Sequence, residues 1–162
     1  MDEQLAGRPL SESVSQLTEM ALPNDANMLG TLFGGKVMSL VDLAGSLAAV
    51  RHSRSAVVTA SIDSMNFLEP IHIGQLVTLR STVNRVFRTS MEVGVKVWVE
   101  DVGTGAIKHT ASAYLTFVAL DQDGGRQPIT PGIPVSDEEK RRYEEAGERR
   151  RYRLELRVRA KK

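Results

Sequence analysis

The stretch GTLFGGKV, Gly30 to Val37, has the spacing of a phosphate-cradling loop, in which a Gly-Lys pair follows a first glycine. A nucleotide-binding loop continues with Ser or Thr, whose hydroxyl binds Mg²⁺, and it follows a buried strand. Here the next residue is Val37, and the preceding Leu22-Pro23-Asn24-Asp25-Ala26-Asn27 is polar and turn-like. The glycines therefore point to a different chemistry. Without side chains, Gly34 and Gly35 let a ligand approach the first backbone N–H groups of the helix that follows. Those unpaired donors, at the positive end of the helix dipole, can polarise a carbonyl or hold an oxyanion. Close packing of the helix start is an equally good reason for the pair.

Asp42 is the second chemically informative residue. Its helical neighbours are Met38, Ser39, Gly45 and Ser46, none of them basic. An ionised carboxylate buried there without a partner is costly, so either its pKa rises or another element supplies hydrogen bonds. Such a group is a candidate general base or nucleophile. A carboxylate on a solvent-facing strip, bonded to Ser39 or Ser46, fits the local sequence equally well. Gly35 and Asp42 are about two turns apart, roughly 10 Å of axial rise. One helix does not close a compact site over that distance alone, whereas a second chain could bring its own groups alongside. Other catalytic patterns are missing. There is no G-x-S-x-G elbow, and His52, His72 and His109 lack metal-ligand spacing and read as surface or strand-face residues. The absence of cysteine excludes disulfides, thiolate metal sites and a Cys nucleophile.

The elements that must position these groups are legible from periodicity. Val37, Leu40, Val41, Ala44, Leu47 and Ala48 mark one helical face, and Met38, Leu43 and Val50 add apolar groups elsewhere. The helix, from Gly34 or Gly35 to about Arg51, thus reads as buried nearly all round, with Arg51 and His52 suited to its negative end. Strands are predicted at Ala56–Phe67, Leu76–Val86, Met91–Val99 and Ile107–Leu120, with a fifth near Val14–Leu22. Short connections favour an antiparallel meander, and one apolar helix beside one curved sheet gives an α+β domain. Val93, Val95, Val97 and Val99 should pack on the helix. The opposite side carries Glu92, Lys96 and Glu100 but also Trp98, a hint of partial cover by another chain. After Leu120 comes a Gly/Pro-rich linker. Ser136 and Glu139 then form a capping-box start for a charged helix.

The 162 residues, 41% apolar and 25% charged, have an ordinary soluble composition. The N-terminus MDEQLAGRPLSES lacks the basic start and apolar run of a signal peptide, so a cytoplasmic protein is expected. Net charge is +1, yet Gly147 to Lys162 holds eight basic residues against Glu148 and Glu155. That segment is either a solvated tail or a contact for a phosphate-bearing partner.

The runs LPNDANMLGTLFGGKVMSLVDLAG and VVTASIDSMNFLEPIHIGQ resemble the hotdog-fold acyl-CoA thioesterases. The match is closest to the cytosolic long-chain (brain) acyl-CoA hydrolases and their single-domain bacterial relatives. The likeness extends through RTSMEVGVKVWVE and ASAYLTFVALDQDG into PVSDEEKRRYEEAGERR, covering about Leu17 to Arg150. It implies a sheet wrapped around the long helix and a side-by-side dimer with active sites at the interface. It also implies a trimer of such dimers as the usual assembly. By the same resemblance Asn27 and Asp42 are the catalytic amide and acid, and the Gly35 N–H, beside Gly34, polarises the thioester carbonyl. Arg88, Thr89 and Ser90 form the coenzyme A-contacting loop. No metal or separate cofactor is implied, since coenzyme A enters as part of the substrate, and neither nucleic acid nor membrane is an expected partner. The chain then divides into an N-terminal arm (1–10), the hotdog domain (11–121), a linker (122–135) and a C-terminal charged helix with a basic tail (136–162). Two alternatives are a hydratase or dehydratase and a non-catalytic acyl-CoA-binding regulatory module. The first requires a catalytic His, and neither His52 nor His109 lies in a matching motif. The second would not require Asp42.

Overall fold

The computed structural model describes residues 6–160, so residues 1–5 of the expected arm and residues 161–162 of the tail lie outside the described residues. The first elements are a two-residue strand β1, Arg8–Pro9, and β2, Ser15–Met20. The apolar run after the glycines folds as α1, Gly34–Ser53, and Arg54 ends it in the left-handed conformation, φ 55°. Strands β3, Ala56–Phe67, β4, Leu76–Val86, β5, Ser90–Glu100, and β6, Ile107–Leu120, follow. Beyond them lie β7, Gly132–Ile133, which pairs in parallel with β1, and α2, Asp137–Arg159.

The main sheet is antiparallel in the order β2-β4-β5-β6-β3. The expected meander holds only for β4, β5 and β6. β3 pairs with β6 rather than with its sequence neighbour β4, so residues 68–75 cross the sheet instead of closing a hairpin. That places β3 at the edge beyond β6, with Val57 and Met65 packed against the core. Val93, Val95, Val97 and Val99 meet α1 from β5, as their alternation predicts, together with Leu115 and Phe117 from β6. Gly45 is required at the closest approach. A Cβ there would lie 3.0 Å from the Phe117 ring. Ser81 adds a buried polar tie, donating from its hydroxyl to the Ala44 carbonyl at 2.6 Å.

Two expectations about burial change. α1 buries Val37, Leu40, Val41, Ala44, Ala48 and Ala49, but Met38, Leu43, Leu47 and Val50 stay exposed in the single chain. The helix is apolar nearly all round yet covered on one side only. Conversely, Glu92 on the outer sheet face is fully buried, because α2 of the same chain lies across it. α2 begins with the predicted capping box, Ser136 accepting from the Glu139 N–H and Glu139 accepting in return. The Arg149 guanidinium then grips Glu92 with two bonds of 3.0 and 2.7 Å and lies 3.7 Å from the centre of the Tyr114 ring. Trp98 remains half-buried beside a cleft of about 440 Å³ between the sheet and α2, so that end of the outer face is still open to a partner.

His52 is another departure. It lies at the end of α1 rather than on a surface or a strand, and it is fully buried. One ring nitrogen, Nε2, is 2.9 Å from the Thr130 carbonyl, which accepts its proton, while Nδ1 has no partner among the described residues. Burial pushes the pKa of His52 below its ordinary 6.5, and the nearby Arg8 acts in the same direction against the raising effect of the Thr130 bond. The ring is therefore neutral at neutral pH, and the cations at the helix end are Arg51 and Arg8, whose guanidinium donates to the Arg51 and His52 carbonyls. A lowered native pKa means that the unfolded chain takes up the proton first as pH falls. Stability from this group is thus present above about pH 6.5 and lost below it. Urea unfolding at about pH 7.5 and 5.5 should show the parent losing stability toward acid, with His52→Gln losing less.

Candidate active site

Asp42 is half-buried in the middle of α1. Its hydrogen bond comes from another element, one of the two outcomes expected of a buried carboxylate: Thr59 Oγ1 on β3 donates to Asp42 Oδ1 at 2.5 Å. The helix serines are not its partners. Ser46 donates instead to the Leu43 carbonyl at 2.7 Å.

Thr59 reaches Asp42 because β3 is not a regular strand. Across β6 the pairs are Thr59 with Phe117, Ser61 with Thr116, Ile62 with Leu115, Ser64 with Tyr114 and Met65 with Ala113. Ala60 and Asp63 are each extra residues in this ladder, at the two register shifts. Phe117, Leu115 and Ala113 are all buried on the helix side, so Thr59, Ile62 and Met65 share that face at three-residue spacing. Strict alternation would have set Ile62 opposite to Thr59. Nothing in local propensity announces the bulges, which is why Thr59 was missed from sequence; its only signal is its place in the VVTASIDSMNF run.

The helix start is open as expected. The N–H groups of Lys36 and Val37 donate to the Phe33 carbonyl at 2.9 and 3.3 Å, whereas those of Gly34 and Gly35 meet no acceptor among the described residues. The exposed Phe33 ring lies so close to Gly35 that a Cβ would come within 2.5 Å of it, whereas a Cβ at Gly34 would lie 3.9 Å from the Phe67 ring of β3. Lys36, the lysine of the apparent phosphate loop, is held by Glu19 at 3.2 Å and Asp25 at 3.5 Å. The Glu19 hydrogen bond raises its pKa above the usual lysine value. It is committed to the loop before the helix and not to an incoming phosphate.

Asn27 does not meet Asp42 within the chain. Its Oδ1 accepts from the N–H groups of Leu29 and Thr31 at 2.9 and 3.1 Å, and its Nδ2 donates to Thr31 Oγ1 at 2.8 Å. These bonds shape a tight loop, with Gly30 at φ +74°, whose tip presents Met28 and Leu29 entirely to solvent. Arg88, Thr89 and Ser90 form the turn into β5, held by the Ile129 N–H on the Arg88 carbonyl and by Arg150 on the Ser90 hydroxyl. Met91 and Thr59 both pair with Phe117, so this turn lies at the same height of the sheet as Thr59, on the second strand across. Two strand spacings make that roughly 10 Å.

Asp42 and Thr59 therefore border an uncovered apolar surface. Met38, Leu43, Leu47 and Val50 from α1 and Ile62 and Phe67 from β3 are all exposed, and β3 is an edge strand of 12 residues. A long apolar edge of this kind marks an interaction surface. No cluster of metal-ligating residues occurs among the described residues, and no helix among them is long and apolar enough to cross a membrane.

The thioesterase superfamily profile matches residues 29–106. The uncharacterized acyl-CoA thioester hydrolase YkhA of Bacillus subtilis is 45% identical over 128 residues, spanning 79% of this chain and 74% of its own. This chain belongs to the hotdog-fold acyl-CoA thioesterases. Two solved structures extend the likeness over nearly the whole thioesterase. The acyl-CoA hydrolase of Staphylococcus aureus, in complex with butyryl coenzyme A, coenzyme A and coenzyme A disulfide, superimposes with a TM-score of 0.87 at 35% identity, covering 95% of this chain and 94% of that one. An apo hexameric acyl-CoA thioesterase gives a TM-score of 0.90 at 40% identity, covering 94% and 97%. The S. aureus hydrolase has also been solved as separate alanine mutants of an asparagine, an aspartate and a threonine.

The close approach of Phe33 makes Gly35 a sharp test of the helix start. In Gly35→Ala the added methyl must displace the ring across the open N–H groups. Acyl-CoA hydrolysis should fall at least about tenfold, equivalent to about 1.4 kcal/mol, with unchanged helix content by circular dichroism.

Proposed function

We propose that this acyl-CoA thioesterase acts as a dimer formed through the exposed α1 and β3 faces, with Asp42 as its catalytic carboxylate. The observation that carries this reading is the Asp42–Thr59 hydrogen bond at the rim of an uncovered apolar surface. The bond fixes one carboxylate oxygen, and the other is left to face the substrate side. Asp42 takes a proton from water, whose oxygen adds to the thioester carbon. The Gly35 N–H holds the oxyanion that develops. Collapse of this intermediate breaks the C–S bond, and the departing coenzyme A thiolate recovers the proton from the carboxyl group. Direct attack by Asp42, giving an anhydride that water then opens, uses the same groups. Neither route requires a metal or a separate cofactor.

In this reading Asn27 completes the site from the second chain, with its amide orienting the water or the carbonyl. The fully exposed Met28 and Leu29 beside it support a loop that reaches across an interface. Arg88, Thr89 and Ser90 bind coenzyme A at the same height of the sheet. The asparagine, aspartate and threonine replaced in the S. aureus hydrolase are the same residue types as Asn27, Asp42 and Thr59. The hexameric relative supports a trimer of dimers, with the half-open Trp98 end of the outer face as a second contact.

Asp42→Asn should lower kcat by roughly 10²–10⁴-fold with the fold intact, and turnover within threefold of the parent would overturn the assignment. Thr59→Val should lower kcat less, because the carboxylate survives without its anchor. Light scattering at micromolar concentration should return a hexamer mass. A monomer with full activity would rule out a shared site.

A further inference from the structure

We infer that Arg153 of α2 is a positioning residue for catalysis, acting through Asp63 on the irregular strand that aims Thr59 at Asp42. This rests on the reading of Asp42 as the catalytic carboxylate. α2 crosses the outer face of the sheet strand by strand. Tyr143 stacks on Arg85 of β4, Arg149 binds Glu92 of β5 and covers Tyr114 of β6, and Arg153 pairs with Asp63 of β3. From Tyr143 to Arg153 the helix rises about 15 Å, and the three steps from β4 to β3 span about 14 Å. The strap therefore has the length needed for its last basic group to land on the edge strand.

It lands on the second bulge. Asp63 is the extra residue between Ile62 and Ser64, and its carboxylate pairs with the Arg153 guanidinium, with side-chain exposures of 18% and 17% although the Asp63 residue as a whole is exposed. Ser61 adds only a long contact of 3.4 Å. Within the chain β3 is paired on one side only, with β6. The strand is fixed at both ends by β6, from Ala56 to Thr59 and from Ser64 to Phe67, and the faces match only while both extra residues are accommodated. Loss of one bulge flips every side chain on one side of it to the other face. Thr59 then leaves Asp42, or Met65 leaves the core. Arg153 neutralises Asp63 at this point and keeps the bulge closed against the outer face. Its effect on the reaction runs through the aim of Thr59, with no contact to substrate.

The test is a steady-state comparison of the assembled enzyme carrying Arg153→Gln, Arg153→Lys and the reversed pair Asp63→Arg with Arg153→Asp. Arg151→Gln, an exposed neighbour, serves as control. Arg153→Gln should lower kcat about tenfold with KM within twofold, at unchanged mass by light scattering. Arg153→Lys and the reversed pair should recover most of kcat, and Arg151→Gln should match the parent. A kcat within twofold of the parent in Arg153→Gln would overturn the inference. So would a rise in KM alone, or a loss of assembly that neither Arg153→Lys nor the reversed pair restores. An active Asp42→Asn would instead defeat the reading beneath it, independently of these variants.

Discussion

The structure depends above all on α1 being apolar on more than one side. A helix in a single-layer α+β domain normally buries one stripe and shows charge to water. α1 uses Val37, Leu40, Val41, Ala44 and Ala48 against the sheet, with Gly45 drawing its backbone close to Phe117. That leaves Met38, Leu43, Leu47 and Val50 outside with no cover from their own chain. The same helix is thus the core of one domain and presents a second apolar face that its own chain leaves uncovered. Asp42 sits half-buried at the border between the two faces, hydrogen-bonded to Thr59.

The edge strand β3 is the counterpart of that helix. Edge strands are commonly short, charged or bulged, which limits indiscriminate pairing. β3 is long and apolar, but its two bulges twist it and reset which residues face inward. The irregularity keeps Thr59, which bonds Asp42, on the helix side together with Ile62 and Met65. A regular strand would keep Thr59 and Met65 on that face but would turn Ile62 outward.

α2 works by a different physics. Its helix is rich in charge, and it docks through arginines over rings and carboxylates in place of an apolar stripe. Burying Glu92 completely is tolerable because Arg149 meets both oxygens and Asn84 donates to one of them. Such a network adds specificity of placement more surely than it adds net stability, since both charges lose their hydration. That suits a strap whose function is to land on particular strands.

The strand boundaries, the central helix and the capped C-terminal helix were legible because each is written in short-range periodicity, as in Met91 to Val99 or the Ser136–Glu139 box. The open glycine donors and the isolated carboxylate of Asp42 could be read in the same way, since a helix repeats its neighbours every three or four residues. Tertiary structure alone decided the partner of Asp42, the pairing of β3 with β6, the burial of His52 and the cover over Glu92. Each of these joins residues distant in sequence: Thr59 reaches Asp42 only through two extra residues in a ladder with β6, and Arg149 reaches Glu92 only after α2 has crossed the sheet. Local pattern specifies which face a residue prefers. Long-range packing selects among the several registers and crossings that would satisfy that preference, and here it chose the one that puts a hydroxyl against a carboxylate.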